Sequence, residues 1–151
     1  MMASKGRPVP WNPIAGIDSF CADVEFSFRP PDLVRPRWHL TVRLYFSFVR
    51  GNPAKDMLLE FEDAVAFRWE DECFGADSLP DGLPLIQGPV MNFTFPLLVI
   101  EESPWIERLA GRHPVQAEGK THYAFTSLNG MAEAIAGPPI RVEWVPSKDQ
   151  T

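Results

Sequence analysis

Residues 61–74 read FEDAVAFRWEDECF and carry five acids, one arginine, one cysteine and four aromatic rings. Two structures compete for this stretch. As a strand it places Phe61, Val65, Phe67, Trp69 and Cys73 on one face, in phase with Met57 and Leu59 upstream. Glu60, Glu62, Arg68, Glu70 and Glu72 then share the opposite face. As a helix it aligns only Leu58, Phe61, Val65 and Trp69, and Phe67 is left in water. The strand uses more of the apolar residues, so the carboxylates are expected on a solvated face and not in a reactive cluster. Asp63 and Asp71 break the alternation. Asp63 is expected at a bulge between two strand halves, and Asp71 beyond the strand end.

The same two-residue rhythm extends in both directions. Ala22, Val24, Phe26 and Phe28 alternate with Asp23, Glu25 and Ser27. Trp38, Leu40, Val42, Leu44, Phe46 and Phe48 alternate with His39, Thr41, Arg43, Tyr45 and Ser47. RPPDLVRP separates these two strands, and GNP at 51–53 predicts a hairpin into the third. Residues 75–89 are rich in Gly and Pro and read as a long loop. Val90–Ile100 reads as a strand with an edge or bulge at Pro96. Ser103-Pro104 predicts a helix start and Gly111 its stop, giving one short helix near 103–111. Strands follow at 121–128 and 131–136 around Asn129-Gly130, and a last one carries Ile140, Val142 and Trp144.

The pattern predicts a single mostly β, or α+β, domain over residues 18–146. Its core is an antiparallel, bent sheet of about seven strands, as a sandwich or half-barrel. Residues 1–17 read as a loose arm, with Trp11 and Ile14 able to pin part of it, and 147–151 as a C-terminal tail.

With 151 residues, the chain is long enough to bury a core without disulfide or metal staples. Its net charge of −6 with scattered arginines argues against nucleic acid and is compatible with a basic protein partner. Cys21 and Cys73 are expected to be reduced thiols. Neither the N-terminus nor Val90–Ile100 suits a signal peptide or a membrane span, so a cytoplasmic protein is expected.

The search for chemistry yields little. Carboxylate catalysis needs two acids in contrasting environments, and alternation predicts solvent around these. His39, His113 and His122 have no metal-ligand spacing, and His39 and His122 are expected to face outward beside acids. No serine or cysteine lies in a nucleophile motif, and no glycine-rich phosphate loop occurs. Neither a metal nor a cofactor is implied.

Three blocks carry a family resemblance: FEDAVAFRWEDE at 61–72, EESPWIERL at 101–109 and HYAFTSLNGMAEAIAGPPIRVEW at 122–144. Their order resembles a group of uncharacterised bacterial proteins, some of which look like immunity proteins encoded beside secreted toxins. The resemblance covers about half the chain and carries over no catalytic residue. Together with the acidic surface it implies a non-enzymatic protein-binding module, and Glu70, Glu72, His122, Tyr123 and Trp11 are the candidate contact residues, none of them carried over from the family. A small-ligand binder or enzyme remains the alternative, with a pocket inside the curved sheet and His122, Glu70 or Tyr123 at its mouth. A homo-oligomer joined by a sheet edge or the N-terminal arm is a third.

Overall fold

The computed structural model describes residues 6–17, 21–46, 55–71, 83–86, 93–128 and 130–147, with Glu70, Asp71 and Phe93 described by their backbone only. The strands are β1 (Arg7–Pro10), β2 (Asp23–Arg29), β3 (Trp38–Tyr45), β4 (Lys55–Asp71), β5 (Leu85–Ile86), β6 (Phe93–Thr94), β7 (Leu97–Glu101), β8 (Thr121–Thr126), β9 (Gly130–Ala136) and β10 (Arg141–Pro146). Two short helices, α1 (Pro104–Arg112) and α2 (Pro114–Ala117), lie between β7 and β8. Eight strands form one open antiparallel sheet in the order β1-β7-β8-β9-β4-β3-β2, and β10 also pairs with β4. The architecture is mostly β, as the alternation predicts, with one large open sheet and a separate two-stranded pair, β5-β6, among the described residues.

Strand β4 is the spine. Its first half pairs with β3 on one edge (Leu44 opposite Met57) and with β10 on the other (Trp144 opposite Met57). Its second half pairs with β9, Phe67 opposite Ala134 and Trp69 opposite Ala132. Two register shifts separate the halves, one opposite Trp38–Leu40 and one between Ala64 and Ala66. Each inserts an extra residue into β4 and bends it. One insertion alone would exchange the two faces of the strand. Two cancel in phase, so Phe67 and Trp69 return to the face of Phe61 and Arg68 stays opposite.

Asp63 lies at this bend, as expected. Its carbonyl oxygen accepts the Gly137 N–H at 3.0 Å, and its carboxylate takes Lys120 at 2.9 Å and Arg37 at 3.4 Å. Asp71, expected beyond the strand, is its last residue.

The bend curls the sheet. Phe26 of β2 and Phe125 of β8 meet at 6.2 Å between ring centroids, although β3, β4 and β9 separate their strands. Leu40, Val42, Leu44, Met57, Leu59, Phe61, Leu97 and Phe125 fill the concave side and are fully buried. Burying a side chain of this size stabilises by about 1.5–3 kcal/mol. The curl also carries the end of β4 past this core, so Phe67 and Trp69 remain 40% and 46% exposed where alternation predicts burial.

Several boundaries differ from expectation. Residues 7–10 of the supposed loose arm are a strand, β1, on β7, with an Arg7–Glu101 ion pair at its start. Trp11 then stacks on Tyr123 at 4.7 Å and donates its backbone N–H to Leu97 at 2.9 Å. The expected strand at 90–100 is divided into β6 and β7 around Pro96, which has no N–H for a ladder. Part of the expected 75–89 loop is strand, because β5 pairs with β6. Gly51–Pro53 and most of 75–89 lie outside the described residues.

Helix α1 starts as predicted, with Ser103 accepting the Ile106 N–H at 3.2 Å and Pro104 in the first turn. It passes through Gly111 and ends at His113, whose φ of −139° leaves the helical region. Pro114 disfavours a helical residue before it and then opens α2, a second helix that the alternation does not reveal. No helix among the described residues is long and apolar enough to cross a membrane.

Candidate functional site

Helix α1 contributes no fully buried residue, yet it lies over the convex face of the sheet. A chain of polar side chains holds it there. Glu133 of β9 stands directly opposite Arg68 of β4 on one side and Ala124 of β8 on the other. His122 shares the face of Ala124, so it lies diagonally beside Glu133. Arg68 Nε and Nη2 donate to Glu133 Oε2 and Oε1 at 2.6 and 3.2 Å. His122 Nε2 lies 2.8 Å from Glu133 Oε1, and Nδ1 lies 2.7 Å from Ser103 Oγ. Trp105 closes the top, edge-on to His122 at 5.2 Å and with the Arg68 guanidinium 4.2 Å from its ring centroid.

The hydrogen bonds are consistent throughout. In the neutral imidazole, Nε2–H donates to Glu133, which leaves Nδ1 to accept the Ser103 hydroxyl. Ser103 Oγ accepts the Ile106 N–H with its remaining capacity. Burial pushes the Glu133 carboxyl up, but hydrogen bonds from His122 and Arg68 and the Arg68 charge outweigh it, so its pKa lies below the ordinary value. A buried carboxylate is tolerable only with partners of this kind.

Serine, histidine and glutamate in this order resemble a nucleophile, a base and its orienting acid. Access decides against catalysis. Ser103, His122 and Glu133 are 5%, 4% and 2% exposed, and Ser103 Oγ already serves the helix. The arrangement clamps α1 to the sheet.

The five candidate contact residues do not converge. His122 belongs to the clamp on the convex face. Tyr123 points to the other side, packed between Trp11 and Phe61 (4.7 and 5.0 Å) with its hydroxyl 3.4 Å from the Gly137 oxygen. The two residues thus face opposite sides of the sheet. Glu70 pairs through its backbone with Met131, and Glu72 lies outside the described residues. Trp11 anchors its own chain to the sheet.

The acidic face is also less free than alternation predicts. Glu60 is half-buried between Arg141 at 3.0 Å and His39 at 3.8 Å, and Asp63 is held by Lys120 and Arg37. Of the described acids in β4 between Glu60 and Asp63, only Glu62 is exposed.

No sequence motif marks Glu133 or the second role of Ser103. Glu133 has a local signal, being the only charge in GMAEAIA among small and apolar neighbours.

No protein-family model, curated protein or solved structure matches the chain. The immunity-protein resemblance therefore rests on its three sequence blocks alone.

A second surface stands out on the concave rim. Phe28 packs against Phe67 at 4.6 Å and Trp38 at 5.7 Å, and Phe26 adds an edge contact to Phe67 at 6.4 Å. Phe28 and Trp38 are 49% and 39% exposed, so with Phe67 and Trp69 they leave four large rings partly in water. Strand β2, which carries Phe28, ends the sheet and has no strand partner on its outer edge among the described residues.

Proposed function

We propose that this chain is a non-enzymatic protein-binding module that engages its partner through the aromatic rim of Phe28, Trp38, Phe67 and Trp69. The observation behind this reading is that rim. Clustered, half-exposed Trp and Phe rings are the residues that dominate protein interfaces, and a monomer rarely leaves them together in water without use. The occupant that fits is an extended apolar segment of a partner protein. It would lie along β2, take main-chain hydrogen bonds from the strand edge and place its side chains on the rings. A role as the immunity protein of a bacterial toxin is the specific form suggested by the sequence blocks. Local pairing of Glu60 and Asp63 removes much of the reason for a basic partner, so apolar contact carries the reading.

The test is co-expression with the products of adjacent genes, followed by pull-down at low and high salt. A partner should be retained at both, and Trp38→Ala with Phe67→Ser should weaken it at least about tenfold without unfolding the protein. Retention of no partner, or equal binding by the double variant, overturns the proposal. Self-association through the rim, seen as a dimer mass in solution scattering, also overturns it in favour of a homo-oligomer.

A further inference from the structure

A cleft of about 530 Å³ opens on the convex face between the β2–β3 loop and the corner where β4 meets β10. The loop wall is built and not merely draped. Asp32 Oδ1 accepts the N–H groups of Val34 and Arg35 at 2.9 and 2.7 Å, and the Asp32 N–H returns to the Arg35 oxygen at 2.8 Å. Beyond this turn the chain bends at Arg37 before β3 begins, and Arg35, Arg37 and His39 all line the cleft. The facing wall carries Glu60 and Glu62, with Ile140 at the end.

The charges of the cleft divide into two kinds. Arg37 is paired with Asp63, and Glu60 with Arg141 and His39. Arg35 and Glu62 are exposed, line the cleft and make no ion-pair contact among the described residues, the Asp32 carboxylate of the same turn acting on the Arg35 charge through space only. One cation and one anion thus lack a contacting side-chain partner, one on the loop and one on β4, with Val34, Pro36 and Ile140 as the apolar lining. A simple anion would satisfy Arg35 and meet Glu62 as a like charge, and a simple cation would do the reverse. A ligand bearing both charges satisfies both walls. Pockets of about 300–1,000 Å³ take small ligands of this kind.

We propose that this cleft binds a small zwitterion with an apolar body, an apolar amino acid or short peptide with both ends free. The ligand carboxylate meets the planar fork of Arg35, a geometry in which two parallel N–H···O bonds form. The ligand ammonium meets Glu62, and the side chains lie on Val34, Pro36 and Ile140. This site is separate from the aromatic rim and does not depend on it.

The experiment is a titration of the full chain with leucyl-leucine, followed by amide NMR shifts, beside N-acetyl-leucyl-leucine and leucyl-leucine amide. Saturable shifts are expected at residues 34–37, 60–62 and 140, with each end-blocked compound at least tenfold weaker. Arg35→Gln should weaken the free dipeptide and abolish the penalty for amidation only. Glu62→Gln should weaken it and abolish the penalty for acetylation only. Both positions are exposed, and an unchanged Tm confirms that the variants fold. Absence of saturable shifts at the cleft, shifts confined to other surfaces, or equal binding of the blocked compounds overturns the proposal.

Discussion

His122 and Glu133 are joined at 2.8 Å across the β8–β9 hairpin, and both side chains are almost wholly withdrawn from water. Arg68 completes the pair from the other side, so one carboxylate links three strands and, through His122 and Ser103, the helix above them. Removing that carboxylate leaves a buried imidazole N–H and a guanidinium without their acceptor. Glu133→Ala is expected to cost about 3–5 kcal/mol, the range for breaking a buried ion pair from one side. Urea unfolding measures it, and a change within about 0.5 kcal/mol of zero would show that the clamp contributes nothing to stability.

The clamp also sets a pH dependence. The Glu133 pKa is lowered from 4.5 in the folded protein, because hydrogen bonds and the Arg68 charge outweigh burial. Its stabilisation is therefore complete above that value and is lost as pH falls through the lower folded pKa. Urea midpoints measured from about pH 7 down to about pH 3 should decline, and Glu133→Gln should lose less of its own stability over the same interval. Parallel curves for the two proteins would place the acid sensitivity elsewhere.

Ser103 carries two duties, a cap for α1 and a donor to His122. Ser103→Ala is expected to cost about 1–2 kcal/mol, and Ser103→Thr to retain most of it. Because Ser103 and Glu133 act through the same imidazole, Ser103→Ala and Glu133→Ala together should depart from additivity by about 0.5 kcal/mol or more. Strict additivity in a double-mutant cycle would mean that the chain of hydrogen bonds acts as independent pairs.

Trp11 ties the N-terminal strand to the core through Tyr123 and Leu97. Further along, Trp144 Nε1 donates to the Ala15 oxygen at 2.8 Å. Gly16 permits this approach, since it has φ +102° and a Cβ there would stand 3.3 Å from Trp144 Nε1. Trp11→Ala should lower stability by about 2–3 kcal/mol, less than a fully buried Trp because the ring is half-buried. It should also speed amide exchange in β1 and β7. Unchanged exchange there would mean that the arm is not held by this ring.

Cys21 is buried with its thiol 3.0 Å from the Asp23 oxygen, and burial, against hydrogen bonds that pull the other way, pushes its pKa up to about 12. In a Cys73→Ser protein, Cys21 should react with a thiol reagent near pH 8 at least about 100-fold more slowly when folded than when unfolded, since the thiolate is the reacting form. Equal rates would show that the β2 end of the core opens readily.

How much of this was legible before folding depends on distance along the chain. Strand β3 and the first half of β4 follow from alternation because each residue's face is set by its neighbours two away. The bulge at Asp63 was legible for the same reason, as a break in the rhythm. The N-cap at Ser103 is legible too, being a relation to Ile106 only three residues away. By contrast, His122 was expected to face water beside an acid. It does meet an acid, but the site is dry because α1 covers it, and nothing within a few residues of His122 announces that cover. Phe67 and Trp69 failed in the opposite sense. Their face was right, and the curl carried them beyond the core.

The order of apolar and polar residues by itself determined that this chain is built from antiparallel strands, where β4 bends and where α1 begins, because those are short-range choices of backbone and side-chain direction. Only the tertiary structure decided which charges are dry and which rings are wet. Those outcomes depend on what the curled sheet and the helix bring across from strands tens of residues away, and no local pattern encodes that distance.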